Sequence, residues 1–167
     1  MERGASNECL HRVAGSPQGA QGAGQRIYAT PAVAPERQEY LDDLLVELDI
    51  HFRIEDDLYY PALSAASSLI AIAHAEHRQV TDQLSVLLRT SPAAPSYDDE
   101  WHSFATVVEA HADEEERDMI PVPPSVKITD DELVEHGDKM ASRIEELHES
   151  TVHKLRVKGR KSMLRAL

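Results

Sequence analysis

Leu41, Leu44, Leu48, His51, Glu55 and Leu58 step by three and four along the chain, which places them on one stripe of a helix. Pro35 suits the first turn of that helix, and the pattern predicts it over residues 35 to 63. A second stripe, Ile70, His74, His77, Thr81, Leu84 and Leu88, predicts a helix over 67 to 90, starting at Ser67 or Ser68. The segment Ser91-Pro-Ala-Ala-Pro-Ser96 breaks the pattern. Beyond it, Tyr97, Trp101, Phe104, Val108, His111, Glu115 and Met119 define a third amphipathic helix, stopped by Pro121, Pro123 and Pro124 as Pro61 stops the first. Thr129-Asp-Asp-Glu132 reads as a capping box for a fourth helix, which continues through Leu133, Met140, Ile144 and Leu147 and supplies packing rather than chemistry. The expected class is therefore all-α. Residues 1–33, rich in Gly, Ala, Gln, Ser and Pro, show no helical period and are expected to be disordered or irregular. The helical domain is expected over 34–150 and a basic tail over 151–167.

The stripes are not purely apolar. His51 and Glu55 occupy core positions, four residues apart, and so share a face; His111 and Glu115 repeat the spacing sixty residues later. Each copy ends in a proline, Pro61 or Pro121, in the same register. Polar groups on a buried stripe are costly unless something satisfies them, and a metal ion would satisfy both copies at once. His77 enters the buried stripe of the intervening helix. His74, one turn earlier, is compatible with a ligand, a hydrogen-bonded neighbour of a ligand, or a core histidine. Imidazole with carboxylate favours iron or manganese over a structural zinc, and two carboxylates suffice to bridge two ions. Such a histidine-rich set leaves positions open to a small oxygen species. Tyr59 falls one turn beyond Glu55, where its phenol either packs or reaches a bridging oxygen. Asp56, Asp57, Glu114 and Glu116 either orient the ligands or keep the helix ends hydrated. His102, His136, His148 and His153 lie off the stripe or near the end of the chain and are expected to face solvent.

Composition narrows the partners. Seventeen basic and thirty acidic residues give a net charge of −13, which argues against nucleic acid or an anionic membrane. Lys154, Arg156, Lys158, Arg160, Lys161 and Arg165 nevertheless concentrate in the tail; solvation, or pairing with the acidic domain, is expected there. Cys9 is the single cysteine, so no internal disulfide can form, and a reducing cytoplasm is the expected compartment. No export signal is visible, and no apolar run approaches roughly eighteen residues.

The segments His51-Phe-Arg-Ile-Glu55-Asp-Asp-Leu-Tyr-Tyr-Pro61, Ala75-Glu-His77-Arg and His111-Ala-Asp-Glu-Glu115-Glu-Arg-Asp-Met-Ile-Pro121 resemble the hemerythrin-like proteins that carry the HHE cation-binding domain. The resemblance covers residues 35 to 150 and is nearest to the mycobacterial type, notably in His74-Ala-Glu-His77. It implies an up-down helical bundle with an extra C-terminal helix and two iron ions in an oxo- or hydroxo-bridged non-heme centre. Glu55 and Glu115 would bridge, with His51, His77 and His111 as terminal ligands. Hydrogen peroxide, dioxygen or nitric oxide would be the small-molecule partner, with catalase-like peroxide decomposition as the leading expectation. Oxygen, nitric oxide or iron sensing without turnover is the alternative, and a monomer or weak oligomer is expected. The family's first helix normally contributes a further histidine, and no helix of that kind is evident here. Either His11 serves, or the site lacks one ligand, or the start or reading frame of the sequence is mis-set.

Overall fold

The computed structural model describes residues 29–120 and 122–166. Among these residues there is no strand, and no helix is long and apolar enough to cross a membrane. Five long helices succeed one another: α1 (Pro35–Ile54), α2 (Ser67–Arg89), α3 (Tyr97–Asp118), α4 (Asp130–Glu149) and α5 (Thr151–Ala166). The first helix does not stop at Ile54. It passes through a π-helical turn, Glu55–Tyr59, into an α-helical turn, Tyr60–Ala62, so the expected span to residue 63 is nearly filled. Pro61 gives a reason for the widened turn: it has no N–H to donate, and its ring collides with the carbonyl four residues back, so the preceding turn must open.

The helix signals in the sequence act locally. Pro35 occupies the first turn of α1, and the Thr129–Glu132 capping box is complete: the Thr129 hydroxyl accepts from the Glu132 N–H, and the Glu132 carboxylate accepts from the Thr129 N–H. Ser67 and Ser68 are not caps. Ala66 precedes α2 without a side-chain cap, because a 3-10 turn, Ser64–Ala66, already leads the chain into the helix.

α2 and α3 pack along each other, joined by the short 90–96 connection, while α1 packs on α4 and α5, and α5 also on α2. Two apolar clusters result. One gathers Leu41, Leu45, Phe52, Val80, Leu84, Leu87, Trp101, Phe104, Val157 and Leu164. The other gathers Ile50, Ile54, Tyr59, Tyr60, Leu63, Ala73, Met119, Ile120, Leu133 and Met140. Along α1, α2 and α3 the crossover from one cluster to the other falls at residues 50–55, 73–80 and 104–119. Every histidine and glutamate of the repeated pattern lies in that zone.

The basic tail is a helix, and its inner stripe, His153, Val157 and Leu164, is buried. Arg160 Nη1 donates to Asp49 Oδ1 at 2.8 Å, Lys161 pairs with Asp42, and Arg165 bonds Gln38. Pairing with the acidic bundle is thus the state of these charges. It corrects one expectation: His153 does not face solvent but is 3% exposed, with its Nδ1 3.7 Å from Asp49 Oδ2. An isolated histidine in a basic run carries no signal of burial; the stripe it shares with Val157 and Leu164 does. His148 is partly exposed beside Glu47, His102 is exposed, and His136 is half-buried.

Candidate metal centre

His51 lies on the last α-helical turn of α1 and Glu55 opens the π turn after it; His111 and Glu115 lie on the last two turns of α3. The fold brings the two copies face to face. One ligand atom from each of His51, Glu55, His111 and Glu115 lies within 4.8 Å of all the others. His51 Nε2 is 3.1 Å from Glu55 Oε1 and 3.4 Å from Glu115 Oε2, so one imidazole reaches the carboxylates of both copies. His77 joins from α2, with Nε2 3.0 Å from Glu55 Oε2. Glu55 therefore stands between His51 on one oxygen and His77 on the other.

His74 is placed differently. Its ring is about half exposed, and Nδ1 faces Asp56 Oδ1 at 3.6 Å. It is near Tyr60 and His77, with ring centroids 5.2 Å and 6.2 Å away, but it is not among the four residues whose ligand atoms converge. His11 falls outside the described residues.

Three contributors were not visible in the helical stripe. Tyr60, rather than Tyr59, turns its phenol toward the centre: its oxygen is 3.3 Å from Glu55 Oε2, 3.2 Å from His77 Nε2 and 3.4 Å from Glu115 Oε1. The cause is the π turn. An α-helix would set residue 59 over Glu55, but here the Tyr60 N–H donates to the Glu55 carbonyl, five residues back, which advances the register by one. Tyr59 instead donates its hydroxyl to the Met119 carbonyl at 2.8 Å. Phe52, buried, stacks on His77 at 3.8 Å between ring centroids and helps to fix that imidazole. Glu76, preceding His77, accepts from His111 Nδ1 at 3.0 Å. The presence of Pro61 six residues after Glu55 is the one sequence feature that could have announced the register change.

Electrostatics mark the centre as short of positive charge. Burial, and next the carboxylate of Glu115, push Glu55 well above the usual carboxylate range. Burial acts on Glu115 in the same sense, but the hydrogen bond and charge of His51 prevail and hold it down to about 2. The two opposed carboxylates thus pull each other's affinity for a proton in opposite directions. Burial lowers His77 to about 3 and lowers His111 as well, so both imidazoles are neutral. The same burial, reinforced by the two glutamates, raises the phenol of Tyr60. His111 Nε2 is buried and has no hydrogen-bond partner among the described residues. Neutral imidazoles, two opposed carboxylates and an unpartnered ring nitrogen are a donor set that suits a cation, which would balance the carboxylates and accept the free lone pair.

Fold and site together define a helical bundle in which histidine and glutamate side chains from three helices form a group that could hold a cation. Residues 9–122 match the Hemerythrin HHE cation binding domain, and the chain belongs to that family. It is 58% identical over 147 residues to uncharacterized proteins of Mycobacterium bovis and Mycobacterium tuberculosis, the latter Rv2633c, spanning 88% of this chain and 91% of each relative. A crystal structure of a hemerythrin HHE cation binding domain-containing protein from Mycobacterium kansasii, 61% identical, superposes with a TM-score of 0.85 over 96% of this chain and 98% of that one. The family match includes the segment around His11.

Proposed function

We propose that this protein holds two iron ions in the centre and decomposes hydrogen peroxide there. The observation that carries the reading is the opposed pair Glu55 and Glu115, each buried and each within reach of imidazole nitrogens from more than one element. In this reading Glu55 and Glu115 would hold the ions jointly, with His51, His77 and His111 as the further ligands. His74, paired with Asp56, would be a further ligand on the His77 side. Bound iron would supply the redox chemistry by which one peroxide is oxidised to dioxygen and a second is reduced to water.

The chain's own residues do the rest. Tyr60 offers a hydroxyl at the meeting point of Glu55, His77 and Glu115, positioned to donate a hydrogen bond to an oxygen species bound there. Phe52, buried and stacked on His77, limits water on that side. Few protein donors surround the site compared with carboxylate-rich di-iron bundles, which leaves exchangeable positions.

Oxygen evolution from peroxide by the iron-loaded full chain tests the reading. Catalytic oxygen release that vanishes on chelation is expected. Stable, reversible oxygenation with no turnover would mean a carrier or sensor instead.

A further inference from the structure

Glu76 lies on α2 between the two histidines of His74-Ala-Glu76-His77, yet its side chain is only 17% exposed and turns toward α3. Its Oε2 meets His111 Nδ1 at 3.0 Å. An ionised Glu76 accepts and does not donate, so in that state the contact places the ring proton of His111 on Nδ1 and leaves Nε2 with a bare lone pair. Nε2 is buried without a hydrogen-bond partner among the described residues, on a side chain 2% exposed, and it faces Glu115 Oε2 at 3.7 Å. Both ends of one imidazole are thus accounted for: Glu76 fixes one, and the other is held ready at the carboxylates.

We propose that Glu76 is a positioning residue of the metal centre, which acts through His111 by locking its tautomer and ring orientation and by increasing the donor strength of Nε2. The inference rests on the reading of this centre as a metal site. A carboxylate behind a ligating imidazole does three things: it selects the tautomer, it stops ring rotation and it adds electron density. Here it also joins α2 to α3 at the level of the site, so that the helix supplying His77 sets the aim of a ligand on its neighbour. The residue after Glu76 is His77 itself, whose Nε2 reaches Glu55. One turn of α2 therefore serves both sides of the carboxylate pair.

The test compares the full-length wild type with Glu76→Ala and Glu76→Gln. Two-bond proton–nitrogen correlation of the metal-free proteins reads the His111 tautomer, and competition against a chelator reads the affinity for zinc, chosen because it is redox-silent. The wild type is expected to hold His111 as the Nδ1–H form alone. Glu76→Ala is expected to give mixed tautomers and zinc binding about 10- to 100-fold weaker, with unchanged helical content. Glu76→Gln, whose amide oxygen still accepts from Nδ1, is expected to keep the tautomer and recover most of the affinity. A Glu76→Ala protein with the wild-type tautomer and affinity overturns the inference, as does a glutamine variant no better than alanine. A wild-type chain that takes up neither zinc nor iron overturns the metal-centre reading and the inference with it, so the two failures are distinguishable.

Discussion

The hydroxyl of Tyr60 lies within 3.4 Å of Glu55, His77 and Glu115, whereas that of Tyr59 is spent on the Met119 carbonyl. The two adjacent phenols therefore have separable roles. Tyr59→Phe is expected to cost about 1 kcal/mol in urea unfolding, the worth of one buried hydrogen bond, and to leave metal content unchanged. Tyr60→Phe is expected to slow peroxide turnover of the iron-loaded chain while iron uptake persists; undiminished turnover would remove Tyr60 from the chemistry. Phe52→Ala removes the ring stacked on His77 and leaves a cavity, with an expected loss of about 3–5 kcal/mol. At this scale the sequence was legible where a residue type and its spacing agree. His51, Glu55, His77, His111 and Glu115 read as a set because histidine and glutamate on a buried stripe demand a partner. Tyr60, Phe52 and Glu76 did not, because an aromatic or acidic residue at those positions has an equally good reason to be packed or hydrated.

The repeat goes deeper than its side chains. Glu55 O accepts from Tyr60 N, and Glu115 O accepts from Ile120 N at 2.9 Å, so both ligand-bearing segments open their backbone to a five-residue step just before a proline. Helix periodicity assumes a constant step and misassigns the residues beyond such a turn, which is why Tyr59 took the place of Tyr60 in the stripe. The Thr129 capping box is the opposite case, local chemistry read directly, and Thr129→Ala is expected to cost about 1 kcal/mol in thermal or urea unfolding. α5 depends on contacts no local pattern encodes: Asp49, buried, is met by Arg160 at 2.8 Å from 111 residues away. His153, packed beside Asp49, Arg53, Arg156 and His148, has its protonation suppressed mainly by burial. The unfolded chain takes up that proton as pH falls through 6.5 while the folded chain resists it, so His153 favours folding above that pH and opposes it below. His153→Phe in the metal-free protein is expected to show a smaller loss of stability between pH 7 and 5.5 than the wild type. An equal or steeper loss would assign the acid sensitivity elsewhere.

Across the whole molecule, the candidate centre lies where the two apolar clusters meet, and the histidines and glutamates that would hold a cation come from α1 with the π turn at its end, α2 and α3. A cation bound there ties these elements together and binds the folded chain in preference to the unfolded one, so chelation is expected to lower the melting temperature. The acidic bundle and the basic α5 pair within one chain, which makes the net charge of −13 a poor guide to local field. The first four helices, their order and the facing of the repeated segments were legible in periodicity and prolines; α5, which the pattern left as a basic tail, and its packing on α1 and α2 required tertiary structure. The central claim is that Glu55 and Glu115 hold metal jointly with the histidines. Iron bound per chain, measured on the full-length wild type beside a Glu55→Ala/Glu115→Ala variant that remains helical, tests it most directly. About two irons in the wild type and almost none in the variant are predicted. Equal iron in both would contradict the account.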